Sequence, residues 1–106
     1  NQPSLFYRAA TENICAAVAA QVIDVAAGKQ TDGGVYWSSK DPEAAIADFV
    51  SSVMALVPSD PRSSAATTLL QQHFAAAMAQ GATATAALQS TFVAACLAPS
   101  AVGIGM

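Results

Sequence analysis

The sequence predicts an all-α domain, a four-helix bundle or a compact helical array with one disulfide. Three observations carry this expectation. Alanine, the strongest helix former, supplies about a quarter of the 106 residues. Apolar residues recur at steps of three and four through four segments. Two of those segments open on the same signal, an aspartate followed by proline, at Asp41-Pro42 and Asp60-Pro61. Valine, isoleucine and threonine are scattered rather than alternating, so no strand pattern competes.

The first helix is expected over residues 5–27. Ser4 can cap it, Ile14, Val18, Val22 and Val25 form its apolar stripe, and Gly28 supplies a left-handed residue to end it. The second is expected over 42–57, with Asp41 as cap, Pro42 at the first helical position and Pro58 as the stop. Its stripe, Ile46, Phe49, Val50, Val53, Met54 and Val57, is the clearest in the chain. Asp60 and Pro61 open a third helix over 61–79, with Leu69, Leu70, Phe74, Ala77 and Met78 inward and Gly81 at its end. Thr83 or Thr85 caps a fourth over 84–97, with Leu88, Phe92 and Cys96 at steps of four, and Pro99 prevents its continuation.

Short connections between the second, third and fourth helices force neighbours to fold back as hairpins. A length of 106 residues accommodates one domain, spanning 1–106. An apolar tail over 98–106 follows the last helix, and Val102 and Ile104 in it are expected to cover Leu5, Phe6 and Tyr7 at the start of the first.

Cys15 and Cys96 are each flanked by alanines, which let two helices approach closely enough for the Cα separation of about 5.5 Å that a disulfide needs. A bridge implies an oxidising compartment, hence a periplasmic or extracellular location. The alternative is a pair of buried free thiols acting as small hydrophobes. Two distant thiols and one histidine lack the clustered spacing of a metal site, so none is expected.

Charge excludes more than it identifies. The net charge is −3, and the four cations, Arg8, Lys29, Lys40 and Arg62, are too dispersed for the basic footprint that nucleic acid requires. No apolar run approaches the roughly 18 to 20 residues of a membrane span. With only 10% charged residues, the surface favours association with a protein partner or with the remainder of a larger chain. The start at Asn1, without an initiator methionine or a leader, is expected of a processed form or an excised piece.

His73 lies between Leu69 and Ala77 on the rim of an apolar stripe, where a histidine is ordinarily a residue hydrogen-bonded at the core edge. With Met54 or Met78 opposite, it is also the one candidate ligand for haem or another small molecule inside a bundle. There is no CxxCH attachment motif, so no cofactor is expected. There is also no GxSxG elbow and no carboxylate at helical spacing from His73, so the chain is expected not to be an enzyme. Glu43 and Asp48 belong to a solvated face, and Asp41 and Asp60 are caps.

The stretch GKQTDGGVYWSSKDP, residues 28–42, contains a connection of about 13 residues between flanking helices, long for a helical domain. Gly33 or Gly34 takes positive φ in its turn. Tyr36 and Trp37 then serve either as a lid on the open end of the core or as anchors for a partner or ligand.

The last 40 or so residues, with Leu69, Leu70, Phe74, Gly81, Leu88, Phe92 and Pro99, resemble the C-terminal helical segments of large secreted bacterial proteins, some of them associated with cytochrome-c-like modules. The resemblance implies a packing role in a terminal module of an exported bacterial protein, and no catalytic or cofactor residue. The expected function is therefore that of a non-catalytic structural or interaction domain.

Overall fold

Residues 2–98 are described by the computed structural model, with side chains from residue 10 onward. The element order is α1 (Gln2–Val22), a 3-10 turn (Ala27–Lys29), α2 (Pro42–Asp48), a π turn (Phe49–Val53), α3 (Pro61–Ala79) and α4 (Ala84–Leu97). The domain is all-α with one disulfide, as the sequence predicts. The expected contact of the C-terminal tail with Leu5, Phe6 and Tyr7 lies outside the described residues.

The local start signals work as read. Asp41 accepts a hydrogen bond from the Ala44 N–H, Asp60 from the Arg62 N–H, and Thr83 from the Ala86 N–H, with Pro42 and Pro61 in the first turns of α2 and α3. Each carboxylate or hydroxyl thus satisfies a donor that a helix start would otherwise leave unpaired. Gly81, at φ +97, is the left-handed residue that ends α3, where a side chain would be strained.

α4 is the hub. Ala87, Leu88, Thr91, Phe92 and Ala95 are all buried, a stripe broad enough to face several neighbours at once. Thr91 is tolerated there because its hydroxyl donates to the Ala87 carbonyl at 2.8 Å. α3 packs antiparallel on one side of α4, α2 and the π turn close the same side, and α1 touches only α4 among these elements. The arrangement is therefore a helical array around α4 rather than a ring of four mutually packed helices.

The face and the end of α1 differ from the sequence reading. Among its described side chains the buried ones are Cys15 and Ala19, followed by Ile23 just past its end, while Ile14 is 63% and Val18 38% exposed. The Cys15–Cys96 disulfide, with Cα atoms 6.0 Å apart, accounts for this. It fixes the rotation of α1 about its axis, and positions 19 and 23 then follow Cys15 onto the buried side at steps of four. The helix begins at Gln2, so Ser4 lies inside it rather than at its cap, and it stops at Val22 rather than Ala27. The residue that turns the chain is Asp24, at φ +54, not Gly28.

The second helical segment keeps its predicted stripe only as far as Met54, and it ends at Val53 rather than Val57. Ile46, Phe49, Val50 and Met54 are buried and Val53 is half-buried. The helix widens after Asp48, and the Met54 N–H donates to the Phe49 carbonyl, a five-residue step. Ala55, at φ +58, then breaks the run, leaving Val57 59% exposed and returning Leu56 to the core at 3%. In α3 the inward residues are Ala66 and Leu70, with Phe74 and Ala77 half-buried. Leu69 and Met78, expected inside, are 64% and 42% exposed, because each sits one position off the stripe that faces α4.

Candidate functional site

The segment 28–42 is anchored at both ends. Ile23 and Trp37 form an isolated parallel bridge, with the Trp37 N–H donating to the Val22 carbonyl and the Asp24 N–H to the Trp37 carbonyl. These bonds use the groups freed where α1 ends, so the tryptophan takes over the capping of that helix. Its ring enters the core edge-on to Phe49 at 5.0 Å and tilted to Phe92 at 6.0 Å, with Nε1–H donating to Asp48 at 3.0 Å. Asp48, read as a solvated surface carboxylate, holds the polar end of the lid. Replacing Trp37 with alanine is expected to lower stability by about 2 kcal/mol, since a half-buried aromatic loses its packing and leaves Asp48 without a donor. Thermal unfolding checks this, and an unchanged melting temperature would contradict it.

Tyr36 faces the other way. Its hydroxyl accepts from the Thr31 N–H at 2.7 Å and pairs with the Thr31 hydroxyl at 3.0 Å. The ring lies so close over Gly34 that a Cβ there would come within 2.6 Å of the phenol oxygen, while Gly33 takes the positive φ, +79, of the preceding turn. One glycine is required by contact and the other by backbone conformation.

Asp24 ties three parts of the molecule together. Its carboxylate accepts from the Ser39 N–H at 2.9 Å and from the Thr85 hydroxyl, so the end of α1, the segment and the start of α4 meet on one side chain. The Thr85 hydrogen bond first, then the Ser39 N–H, hold the Asp24 carboxyl below its usual pKa, with a smaller contribution from Lys40. A depressed folded pKa stabilises the fold above the unfolded value, about 3.9, and that stability is lost as pH falls from there through the folded value. Solvent exposure limits the effect to under about 1 kcal/mol. The variant Asp24→Asn tolerates the left-handed backbone and removes the charge together with one of the two acceptor oxygens that hold Ser39 and Thr85. The stability difference between wild type and Asp24→Asn is expected to be full at pH 6 and to shrink below about pH 4. Urea unfolding across that range measures it, and a difference independent of pH would refute the role.

His73 is exposed, and its Nε2 lies 2.7 Å from the Ser90 hydroxyl, joining α3 to α4. Sequence reading did not pair these two residues, which are 17 apart and on different helices. A serine beside an imidazole is the beginning of a nucleophile–base pair. No carboxylate among the described residues is hydrogen-bonded to His73. Ser90 also sits in the interior of α4, where backbone N–H groups are taken by the helix and cannot form an oxyanion hole. The contact works as an interhelical tie.

Beside His73 runs an apolar groove of about 590 Å³ between α3 and α4, lined by Met54, Leu56, Leu69, Leu70 and Ala94. Arg62 borders it toward the start of α3, where its guanidinium pairs with Asp60 at 2.8 Å. Met54 and His73 thus share the groove, while Met78 does not line it. Tyr36 and Trp37 lie elsewhere, in a second and more polar recess with Asp24, Gln30, Lys40 and Thr85. The sequence-predicted binding residues therefore fall into two separate places. Among the described residues no three histidine, cysteine or acidic side chains converge as for a metal ion, and no helix is long and apolar enough to cross a membrane.

These features define a class, a disulfide-stapled all-α domain that carries an apolar groove and a separate polar recess. Comparison of the chain with protein-family models, with curated proteins and with solved structures finds no match.

Proposed function

We propose that the chain is a non-catalytic helical interaction domain, an accessory or terminal module of an exported bacterial protein, and that it engages a protein partner through the α3–α4 groove. The observation that carries this reading is Leu69, a large side chain 64% exposed at the lip of a concave apolar surface. Water gains from the covering of such a surface, and anchoring side chains of partners occupy pockets of this kind. The disulfide supports an oxidising compartment, and the resemblance of the last 40 or so residues to terminal segments of secreted bacterial proteins agrees with it.

The test places a photo-crosslinking residue at Leu69, with one at exposed Ala75 as control, in the native host. A single adduct specific to position 69, identified by mass spectrometry and then bound saturably by the purified wild-type chain but not by Leu69→Glu, supports the proposal. Equal labelling at both positions removes it.

A second reading, a haem or small-ligand bundle, draws on Met54 and His73 bordering the same groove. Ligation by Nε2 would have to displace the 2.7 Å contact with Ser90, which counts against it. A Soret band on adding haemin, abolished in His73→Ala, would favour this reading over the first.

A further inference from the structure

The polar recess at the other end of the molecule has no part in the groove. It occupies about 640 Å³ between the 28–42 segment, the end of α1 and the start of α4, open to solvent and lined by Asp24, Gln30, Tyr36, Trp37, Ser38 and Lys40 among others. We propose that this recess is a binding site for a neutral pyranose sugar.

The hydrogen bonds within the recess leave it with both kinds of polar function. Gln30 spends an N–H on the Val25 carbonyl at 3.0 Å, which turns its amide oxygen into a fixed acceptor. Ser38 Oγ accepts from the Lys40 N–H at 3.1 Å, and its own O–H remains a donor. The Asp24 carboxylate is held by Ser39 and Thr85 and keeps further lone pairs. The Lys40 ammonium brings three donors. A polyhydroxylated ring, whose every hydroxyl both donates and accepts, matches such a mixed set better than a carboxylate, phosphate or amine.

Charge agrees with this. The recess pairs one anion, Asp24, with one cation, Lys40, so neither sign of ligand is favoured. Tyr36 and Trp37 both line the recess and are half-buried, Trp37 with its ring turned into the core, so the aromatic border it offers a sugar ring is narrow and the polar groups carry recognition. The site is also prepared in advance. The bridge from Trp37 to Ile23, the Thr31–Tyr36 pair and the Asp24 contacts hold the segment in place, so little ordering remains to oppose binding. Convergent, fixed polar groups in a concave site are what orient a small polar ligand.

Trp37 is the chain's one tryptophan, so intrinsic fluorescence reports directly on the recess. The probes are methyl β-D-glucopyranoside, methyl α-D-mannopyranoside and N-acetyl-D-glucosamine, with 1,2-propanediol as the non-cyclic control and glucuronate as the charged one. At least one neutral sugar is expected to give a saturable change with a dissociation constant on the order of 1 mM, as a small solvent-open site would. Gln30→Ala and Lys40→Met, both exposed positions, are each expected to weaken it about 5-fold with the fold retained, Lys40→Met leaving the melting temperature unchanged and Gln30→Ala lowering it slightly through the lost Val25 contact. A response to every neutral sugar no different from that to propanediol overturns the proposal, as does saturable binding that survives both substitutions. Tighter binding of glucuronate than of the neutral glucoside overturns the assignment of ligand class. None of these outcomes depends on Leu69, so the site and the groove partner can fail separately.

Discussion

Replacing Phe49 with alanine is expected to remove about 4 kcal/mol of stability, the largest effect of any single substitution considered. Phe49 is fully buried, edge-on to Trp37 at 5.0 Å and to Phe92 at 5.4 Å, so it is the middle member of a three-ring cluster joining the 28–42 segment, the π turn and α4. Two terms add. Burial of an aromatic ring is lost, and the void persists because its walls belong to three different segments that cannot all move inward. Edge-to-face contacts contribute about 0.5–1.5 kcal/mol each beyond area. Domains of this size are stable by only about 5–15 kcal/mol, so the variant should show a broad, early urea transition and loss of near-ultraviolet ellipticity. Leu69→Ala, at an exposed position, serves as contrast and should shift stability by less than about 0.5 kcal/mol. Equal effects of the two substitutions would mean that the three-ring cluster is not the centre of the core.

The double variant Cys15→Ala, Cys96→Ala is expected to lose about 3 kcal/mol. The bridge spans 81 residues of sequence. For a loop of that length the chain-entropy relation gives about 4.5 kcal/mol as a ceiling. The lower figure allows for residual structure in the unfolded chain, which already restricts its ends. Near the transition this amounts to a fall in melting temperature of about 12–24 °C. Wild type treated with reductant and alkylator should match the double variant, and far-ultraviolet ellipticity at low temperature should stay helical in both. Identical melting of reduced and oxidised wild type would show that the bridge contributes nothing.

What the sequence made legible divides by distance along the chain. The starts of α2, α3 and α4 were readable because a cap and its N–H partner lie two or three residues apart, as with Asp41 and Ala44 or Thr83 and Ala86. The ranges of α3 and α4 followed from the same local chemistry with Gly81 and Pro99. The rotation of α1 was not readable. Ile14 and Val18 satisfy helical periodicity as well as Cys15 and Ala19 do, and only the partner at Cys96 decides between them. The end of α1 was hidden for a similar reason, since the hydroxyl that holds Asp24 in place lies 61 residues further on.

The two aromatics of the 28–42 segment show the same limit at a finer scale. Their presence in a long connection was plain, but adjacent residues in extended backbone point to opposite sides. Which of Tyr36 and Trp37 would enter the core depended on the register of the bridge to Ile23. The pairing of His73 with Ser90, and the division of the candidate residues between a groove and a recess, are products of helix packing with no local signature.

The isolation of α1 has a thermodynamic corollary. A rod that packs on a single helical neighbour, held by sulfur along its length and, at its far end, by the Trp37 backbone and the Asp24 carboxylate, is the least supported helix once the sulfur bond is reduced and the carboxylate protonated. In acidic, reducing solution its backbone amides should exchange with deuterium well ahead of those in α3 and α4, and the strip of α4 that it leaves bare becomes free to accept the same rod from another copy of the chain.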